Sequence, residues 1–243
     1  MQVKAGIISR ACIIKPCIIR RNRRQGGTFA MRKLIAGIHR FQKRYWSANR
    51  ELYRRLAEHG QFPEALFITC SDARVNPVTI THAQPGDLFI VRNMGNFIPP
   101  YSENPPDGTG VAAAVEYAVE HLEVRDIVVC GHSDCGAMKA LYKDRAKFAD
   151  TPHIAEWLRH GDRTMAVVAA NYPERSREER YEITAEENVL LQMENLRTYP
   201  VVMKAAQEGR LHVHAWYFVI GTGTIFRYSP EKEQFEPIRE EEE

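Results

Sequence analysis

Two short apolar runs, Leu66-Phe67-Ile68-Thr69 and Ile127-Val128-Val129, each break off into residues able to ligate a metal. Runs this short, with no polar alternation, read as strands buried on both faces. A helical pattern, 111–122, lies between them, and strand, helix and strand at such intervals mark a parallel sheet with crossovers. In an open sheet of that kind ligands gather beyond the carboxyl ends of the strands. At one such end Gly131 is expected to stop the strand, and His132 and Cys135 follow at H-x-x-C spacing where a helix (137–142) begins. At the other end Cys70, Asp72 and Arg74 stand at every second position. The expected fold is α/β, a central mostly parallel sheet flanked by helices.

The rest of the chain fits around that sheet. Apolar residues between Met31 and Glu58 recur at helical spacing and predict a long N-terminal helical arm, broken near Ser47. Strands are expected over 65–69, 88–91, 126–129, 211–220 and 224–228, the last two as a hairpin around Gly221-Thr222-Gly223. Pro77 opens a short helix to His82, and the Pro/Gly stretch 99–110 is a loop. Helices fill most of 155–170 and 177–209, with breaks at Pro173 and Pro200. This gives a single domain over 31–228, between a basic extension (1–30) outside the fold and an acidic tail (229–243).

Charge is laid out unevenly. Residues 1–50 carry 13 Lys/Arg and no acid, 51–230 sum to −6, and the tail from 231 holds seven Glu. A basic arm suits nucleic acid or a membrane surface, but no basic groove interleaved with aromatics accompanies it, so no nucleic-acid partner is expected. No apolar run approaches the ~18 residues a transmembrane helix needs. Residues 1–30 lack the apolar stretch of a secretory signal, and their acid-poor, Arg-rich make-up fits an organellar transit peptide less well than a plain upstream extension. Five cysteines, an odd number, argue against a disulfide framework and for a reducing compartment, hence a cytoplasmic protein. Cys12 and Cys17 read as incidental.

Cys70, His132 and Cys135 together make a Cys₂His set, which leaves a fourth position open on a catalytic zinc. Cys130 ends an apolar strand and reads as a buried hydrophobe. His212 and His214 share one strand face; with no thiol or carboxylate close in sequence they read as surface or packing residues.

Five motifs, C-S-D-A-R (70–74), R-N-M-G-N (92–96), G-T-G (108–110), E-Y-A-V (116–119) and C-G-H-S-D-C-G-A (130–137), resemble the β-class carbonic anhydrases, most nearly the cyanobacterial and plant-type members. The likeness covers about residues 31–228. It implies a homodimeric or higher even-numbered enzyme that interconverts carbon dioxide and bicarbonate, with one Zn2+ per subunit. It also implies that Cys70, His132 and Cys135 bind the metal and that Asp72 and Arg74 act as a pair. Zinc acidifies a bound water, and hydroxide then attacks carbon dioxide. Asp72 can orient that hydroxide, while a bidentate grip from Arg74 keeps the carboxylate off the metal. Without the grip Asp72 becomes a fourth ligand and the site closes. The resemblance further places Gln61, Phe89 and Tyr117 along the substrate pocket. His121, one turn beyond Tyr117, is a candidate proton shuttle. Met94 replaces a smaller expected residue and narrows the pocket. Two other readings compete: a zinc hydrolase of a related heterocumulene such as carbon disulfide, and a non-catalytic zinc-stabilised scaffold.

Overall fold

The computed structural model describes residues 29–103 and 110–239. Cys12, Cys17 and most of the Gly-Thr-Gly motif lie outside the described residues. The chain forms two compact units that part between Tyr53 and Arg54. In the first, α1 (Phe29–Arg40) runs into a π-helical stretch (Phe41–Trp46), and α2 (Arg50–His59) begins after a turn at Asn49. Leu34, Ile35, Ile38, Phe41 and Tyr45 follow helical spacing, and every one of them is exposed. Phe41 stacks on Tyr45 at 5.9 Å and meets Tyr53 edge-on at 6.0 Å.

The second unit holds the sheet. Its strands are β1 (Ala65–Cys70), β2 (Leu88–Asn93), β3 (Asp126–His132), β4 (His212–Val219), β5 (Thr224–Ser229) and β6 (Gln234–Pro237). Their order in space is β2-β1-β3-β4-β5-β6. The first four are mutually parallel, and β5 and β6 add on antiparallel. The helices of this unit are α3 (Pro77–Thr81), α4 (Gly110–Glu120), α5 (Gly136–Leu141), α6 (Pro152–Leu158), α7 (Asp162–Asn171), α8 (Arg177–Leu196) and α9 (Pro200–Gln207).

Alternation along the strands sorts the core. Leu66, Ile68, Ile127, Val129 and Ala215 face Val115 and Val119 of α4, Val189 and Leu196 of α8, and Val202 of α9. Each of these larger apolar side chains, fully buried, contributes about 1.5–3 kcal/mol. Phe67, Val128, Cys130 and Phe218 point to the opposite face, among half-buried Ile90, Trp216, Ile220 and Ile225. Cys130 is fully buried there, and burial pushes its thiol up to about 12.

The strands run a residue or more off the limits read in the sequence, and two of the differences matter for the site and the sheet edge. β3 does not stop at Gly131 but carries through to His132, still in register with Tyr217 and Phe218 of β4. Gly131 is small because α8 crosses it: a Cβ there would stand 2.5 Å from Val189 Cγ2 and 3.2 Å from the Ala185 carbonyl. The sheet also runs past residue 228 into the stretch expected to be an acidic tail. There Phe235 packs on Tyr228 at 5.4 Å and Tyr217 at 6.1 Å, while Glu236 pairs with Lys232. One aromatic residue is enough to seat a four-residue edge strand that acidic composition hides.

Candidate metal centre

β1 and β3 are adjacent and parallel, so their carboxyl ends open on the same edge of the sheet. Cys70 is the last residue of β1 and His132 the last of β3. Ser133 and Asp134 then turn the chain, and Cys135 caps the N-terminus of α5. The turn is fixed at three points. Ser133 N–H donates to the Phe218 carbonyl at 2.9 Å, Ser133 Oγ accepts from Ile220 N–H at 2.9 Å, and Asp134 takes the left-handed conformation at φ 57°. The outcome is one cluster: Cys70 Sγ, a His132 ring nitrogen and Cys135 Sγ lie within 4.8 Å of one another, all three residues buried.

The donor set suits zinc on its chemistry. His132 Nδ1–H donates to the Ser133 carbonyl at 2.8 Å, which fixes the neutral tautomer and leaves the lone pair on Nε2. That Nε2 is buried with no hydrogen-bond partner among the described residues. An orphaned buried nitrogen is costly unless something absent from the protein atoms satisfies it. The sulfurs answer the same need. Cys70 is lowered to about 4, because Cys135 S–H donates to it; burial opposes this, while His132 and the N–H groups of Gly95 and Asp72 assist. Cys135 is pushed up as the other half of that bond and by its own burial. Burial disfavours the His132 cation, yet the adjacent Cys70 sulfur outweighs it and raises the imidazole. Two sulfurs and an imidazole thus share protons that a dication displaces on binding.

A pair of charged side chains completes the rim. Arg74 donates Nε–H to Asp72 Oδ1 at 2.9 Å and Nη2–H to Oδ2 at 2.8 Å, and its backbone N–H adds a bond of 2.9 Å to Oδ1. Those donors hold the Asp72 carboxyl well below the usual carboxylate range, with burial opposing and the nearby His132 assisting. The expected bidentate grip is therefore present.

A carbonic anhydrase family model matches residues 65–225. The chain belongs to the β-carbonic anhydrases. It is 42% identical over 198 residues to the carbonic anhydrase of Synechocystis sp., an alignment covering 82% of this chain and 71% of that protein. It superimposes on the solved β-carbonic anhydrase CcaA with a TM-score of 0.81 at 40% identity, over 86% of this chain and 100% of that one. It also matches a structure from a study of two tetrameric β-carbonic anhydrases of Sordaria macrospora, with a TM-score of 0.72 at 31% identity, over 82% of this chain and 96% of that one.

Within this β-carbonic anhydrase chain the residues expected along the substrate pocket and as proton shuttle, Gln61, Phe89, Tyr117 and His121, are not among the residues packed around the cysteines. Phe89 and Tyr117 do face each other, with centroids 5.9 Å apart, and His121 stacks near Tyr117 at 5.3 Å. Phe89 pairs with Leu66, however, four residues before Cys70 on the same strand, or about 13 Å at strand rise. Gln61 is exposed in the segment before β1. Met94 is half-buried against the cysteine cluster, and its carbonyl accepts from Trp157 Nε1 at 2.7 Å. His214 corrects the sequence reading in one respect, for it does have a carboxylate partner. Parallel pairing of β3 with β4 brings Asp126, 88 residues away in sequence, to 2.7 Å from its Nε2.

Several supporting residues had no role assigned from the sequence, Arg92 and Gly95 among them although both fall in the R-N-M-G-N motif. Arg92 donates to the Cys70 carbonyl at 3.1 Å and to the Asp72 carbonyl at 2.7 Å, bracing the segment that carries both side chains. Gly95, at φ 82°, brings its N–H to Cys70 Sγ at 3.4 Å. Behind it α8 presents three buried amides. Asn188 donates to the Gly95 carbonyl at 3.0 Å, Gln192 accepts from Ile98 N–H at 2.7 Å, and Asn195 donates to the Ile98 carbonyl at 2.8 Å. Their spacing along one helix face was the available signal: polar side chains interrupting an otherwise apolar stripe.

Proposed function

We propose that this chain catalyses the reversible hydration of carbon dioxide to bicarbonate and a proton at a zinc ion held by Cys70, His132 and Cys135, one per subunit. The observation that carries this is the buried, unpartnered Nε2 of His132 beside two cysteine sulfurs, with a forked carboxylate next to them. Zinc supplies acidification of water at neutral pH when bound. The protein supplies the rest. Cys70 and Cys135 as thiolates and His132 as a neutral imidazole would hold the dication and cancel its charge, a three-donor set of the kind found in catalytic zinc sites. Asp72, kept ionised by Arg74, can only accept hydrogen bonds, so it takes the O–H of the reacting water or of bicarbonate and turns a lone pair toward carbon. The same requirement speaks against a purely structural site, which needs its ligands but not the Asp72–Arg74 pair.

The test is stopped-flow hydration of carbon dioxide with and without a chelator, beside an Arg74→Ala variant. Chelation abolishes turnover, and Arg74→Ala lowers kcat about a hundredfold with zinc retained. A fully active Arg74→Ala enzyme overturns the role given to the pair. Turnover of carbon disulfide with none of carbon dioxide would favour the heterocumulene reading.

Gln61, Phe89 and Tyr117 line the substrate approach, and His121 relays the proton, at the zinc of another copy of the chain. Their distance from the local cysteines supports this, as do the half-buried apolar residues on the Phe67 face of the sheet and the exposed apolar stripe of the arm. Copies that exchange a face in this way close as isologous pairs, giving a homodimer or a higher even-numbered assembly. Co-refolding Cys135→Ser chains with Tyr117→Ala chains tests it. Mixed pairs regain one intact site if Tyr117 acts on the partner's zinc, and none if it acts on its own. Among the described residues no helix is long and apolar enough to cross a membrane. We place the enzyme in the cytoplasm, with a catalytic domain that does not require residues 1–30; a Met31-start variant then keeps full activity.

A further inference from the structure

Asp72 accounts for only half of what Arg74 touches. The other edge of the guanidinium is held by Asp134, the second of the two residues between the ligands of the H-x-x-C turn. Arg74 Nη1–H donates to Asp134 Oδ2 at 2.7 Å and Nη2–H to the Asp134 carbonyl at 3.1 Å. Asp134 is anchored in turn. Its second carboxylate oxygen accepts from Lys139, and its backbone N–H donates to Glu182 Oε1 on α8 at 3.0 Å. The remaining oxygen of Glu182 accepts from the buried hydroxyl of Tyr217.

We propose that Asp134 is a positioning residue for the Asp72–Arg74 pair, and that Glu182 positions Asp134 in its turn. The inference rests on the zinc reading above. Both Arg74 and Asp134 are about half exposed, at 45% and 51%, so their attraction alone is weak. What the arrangement supplies is direction. A guanidinium with one bidentate partner can swing about that partner, whereas one held along both edges has its plane fixed. The second holder is in part a backbone carbonyl, in a left-handed turn that Glu182 pins to α8. Release of Asp134 or of Glu182 would let Arg74 drift with Asp72 and free the carboxylate to approach the cluster of Cys70, His132 and Cys135 that would hold the metal.

The experiment uses the full-length protein with Co(II) in place of zinc, whose visible absorption reports whether that corner exchanges. In the native chain thiocyanate is expected to shift the cobalt bands. Asp134→Gly removes the side chain at a position where glycine is free of strain. It is expected to lose most of the thiocyanate response and to lower kcat about tenfold with cobalt still bound. Asp134→Asn, which keeps an oxygen acceptor and tolerates the left-handed turn, recovers most of both. Adding Asp72→Asn to Asp134→Gly restores the thiocyanate response, because the displacing carboxylate is gone. Glu182→Ala, far in sequence from any ligand, reproduces the loss in weaker form, and Glu182→Gln reverses it. Asp134→Gly and Glu182→Ala proteins that answer thiocyanate like the native chain overturn the role of Asp134 and leave the metal site standing. A native chain that takes up no cobalt overturns both.

Discussion

His132 and His214 lie on neighbouring strands of one parallel ladder, four rungs apart, and their surroundings differ in every respect that matters for metal binding. His132 is fully buried, its Nδ1 is committed to a carbonyl, and its Nε2 lies near sulfur with no hydrogen-bond partner among the described residues. His214 is half-buried, and its Nε2 already meets the Asp126 carboxylate. A histidine becomes a ligand where water is excluded, the tautomer is set from behind and soft donors converge. A histidine with a carboxylate at the sheet's amino end has its hydrogen bond satisfied and contributes at most about 1 kcal/mol.

Substitution of the two residues gives the largest expected contrast. His132→Ala should purify with little zinc and lose about a thousandfold or more in carbon dioxide hydration. His214→Ala should keep full zinc content and a kcat within about twofold. Metal analysis and stopped-flow kinetics on both variants decide it. A His214→Ala protein stripped of zinc would break the contrast.

That contrast also bears on what could be read beforehand. Cys70 and His132 were legible because each follows an apolar run and strand ends in a parallel sheet share an edge, and Cys135 through its H-x-x-C spacing from His132. Asp126 was not legible as the partner of His214, since only the pairing of β3 with β4 joins them. Glu182 is hidden for the same reason: its link to the ligand turn spans 48 residues and ends on a backbone N–H, which leaves no side-chain pattern. Gly131 misled because glycine punctuates strands more often than it continues them. Here it continues one, since α8 leaves no room for a Cβ. Phe89 and Tyr117 entered through family resemblance, and nothing in their own spacing tied them to zinc.

Gly131 therefore sharpens the comparison at the next level of effect. Gly131→Ala forces Val189 or the α8 backbone aside at the ligand end of the sheet and should cost about 1–3 kcal/mol in urea denaturation. Its activity should fall as well, because the displaced strand carries His132. Adding Val189→Ala should return part of the stability by opening space at the Cγ2 that a new methyl would strike. Gly221, beyond β4, has no described atom within 4 Å of where a Cβ would stand and no positive φ, so Gly221→Ala should be near neutral. Equal losses in both variants would mean that strain at residue 131 is not specific to the crowded ligand end.

The smallest effect concerns acid. The Arg74 donors depress the Asp72 carboxyl, and Arg74 followed by Lys139 lowers Asp134 to about 2. A carboxyl with a depressed folded-state pKa adds stability that is present above the unfolded value of about 3.9 and is lost as pH falls through the folded one. Removing the guanidinium by Arg74→Ala returns Asp72 toward its ordinary range and takes part of the depression from Asp134. The native chain should then be slightly more stable than Arg74→Ala at pH 7, and the two denaturation midpoints should converge as pH falls below about 4. The gap stays small because Arg74 is 45% exposed and solvent screens it. Salt should narrow it further at neutral pH and leave the zinc content of both proteins untouched, since the charges that set this slope lie on the rim while the ligands are buried.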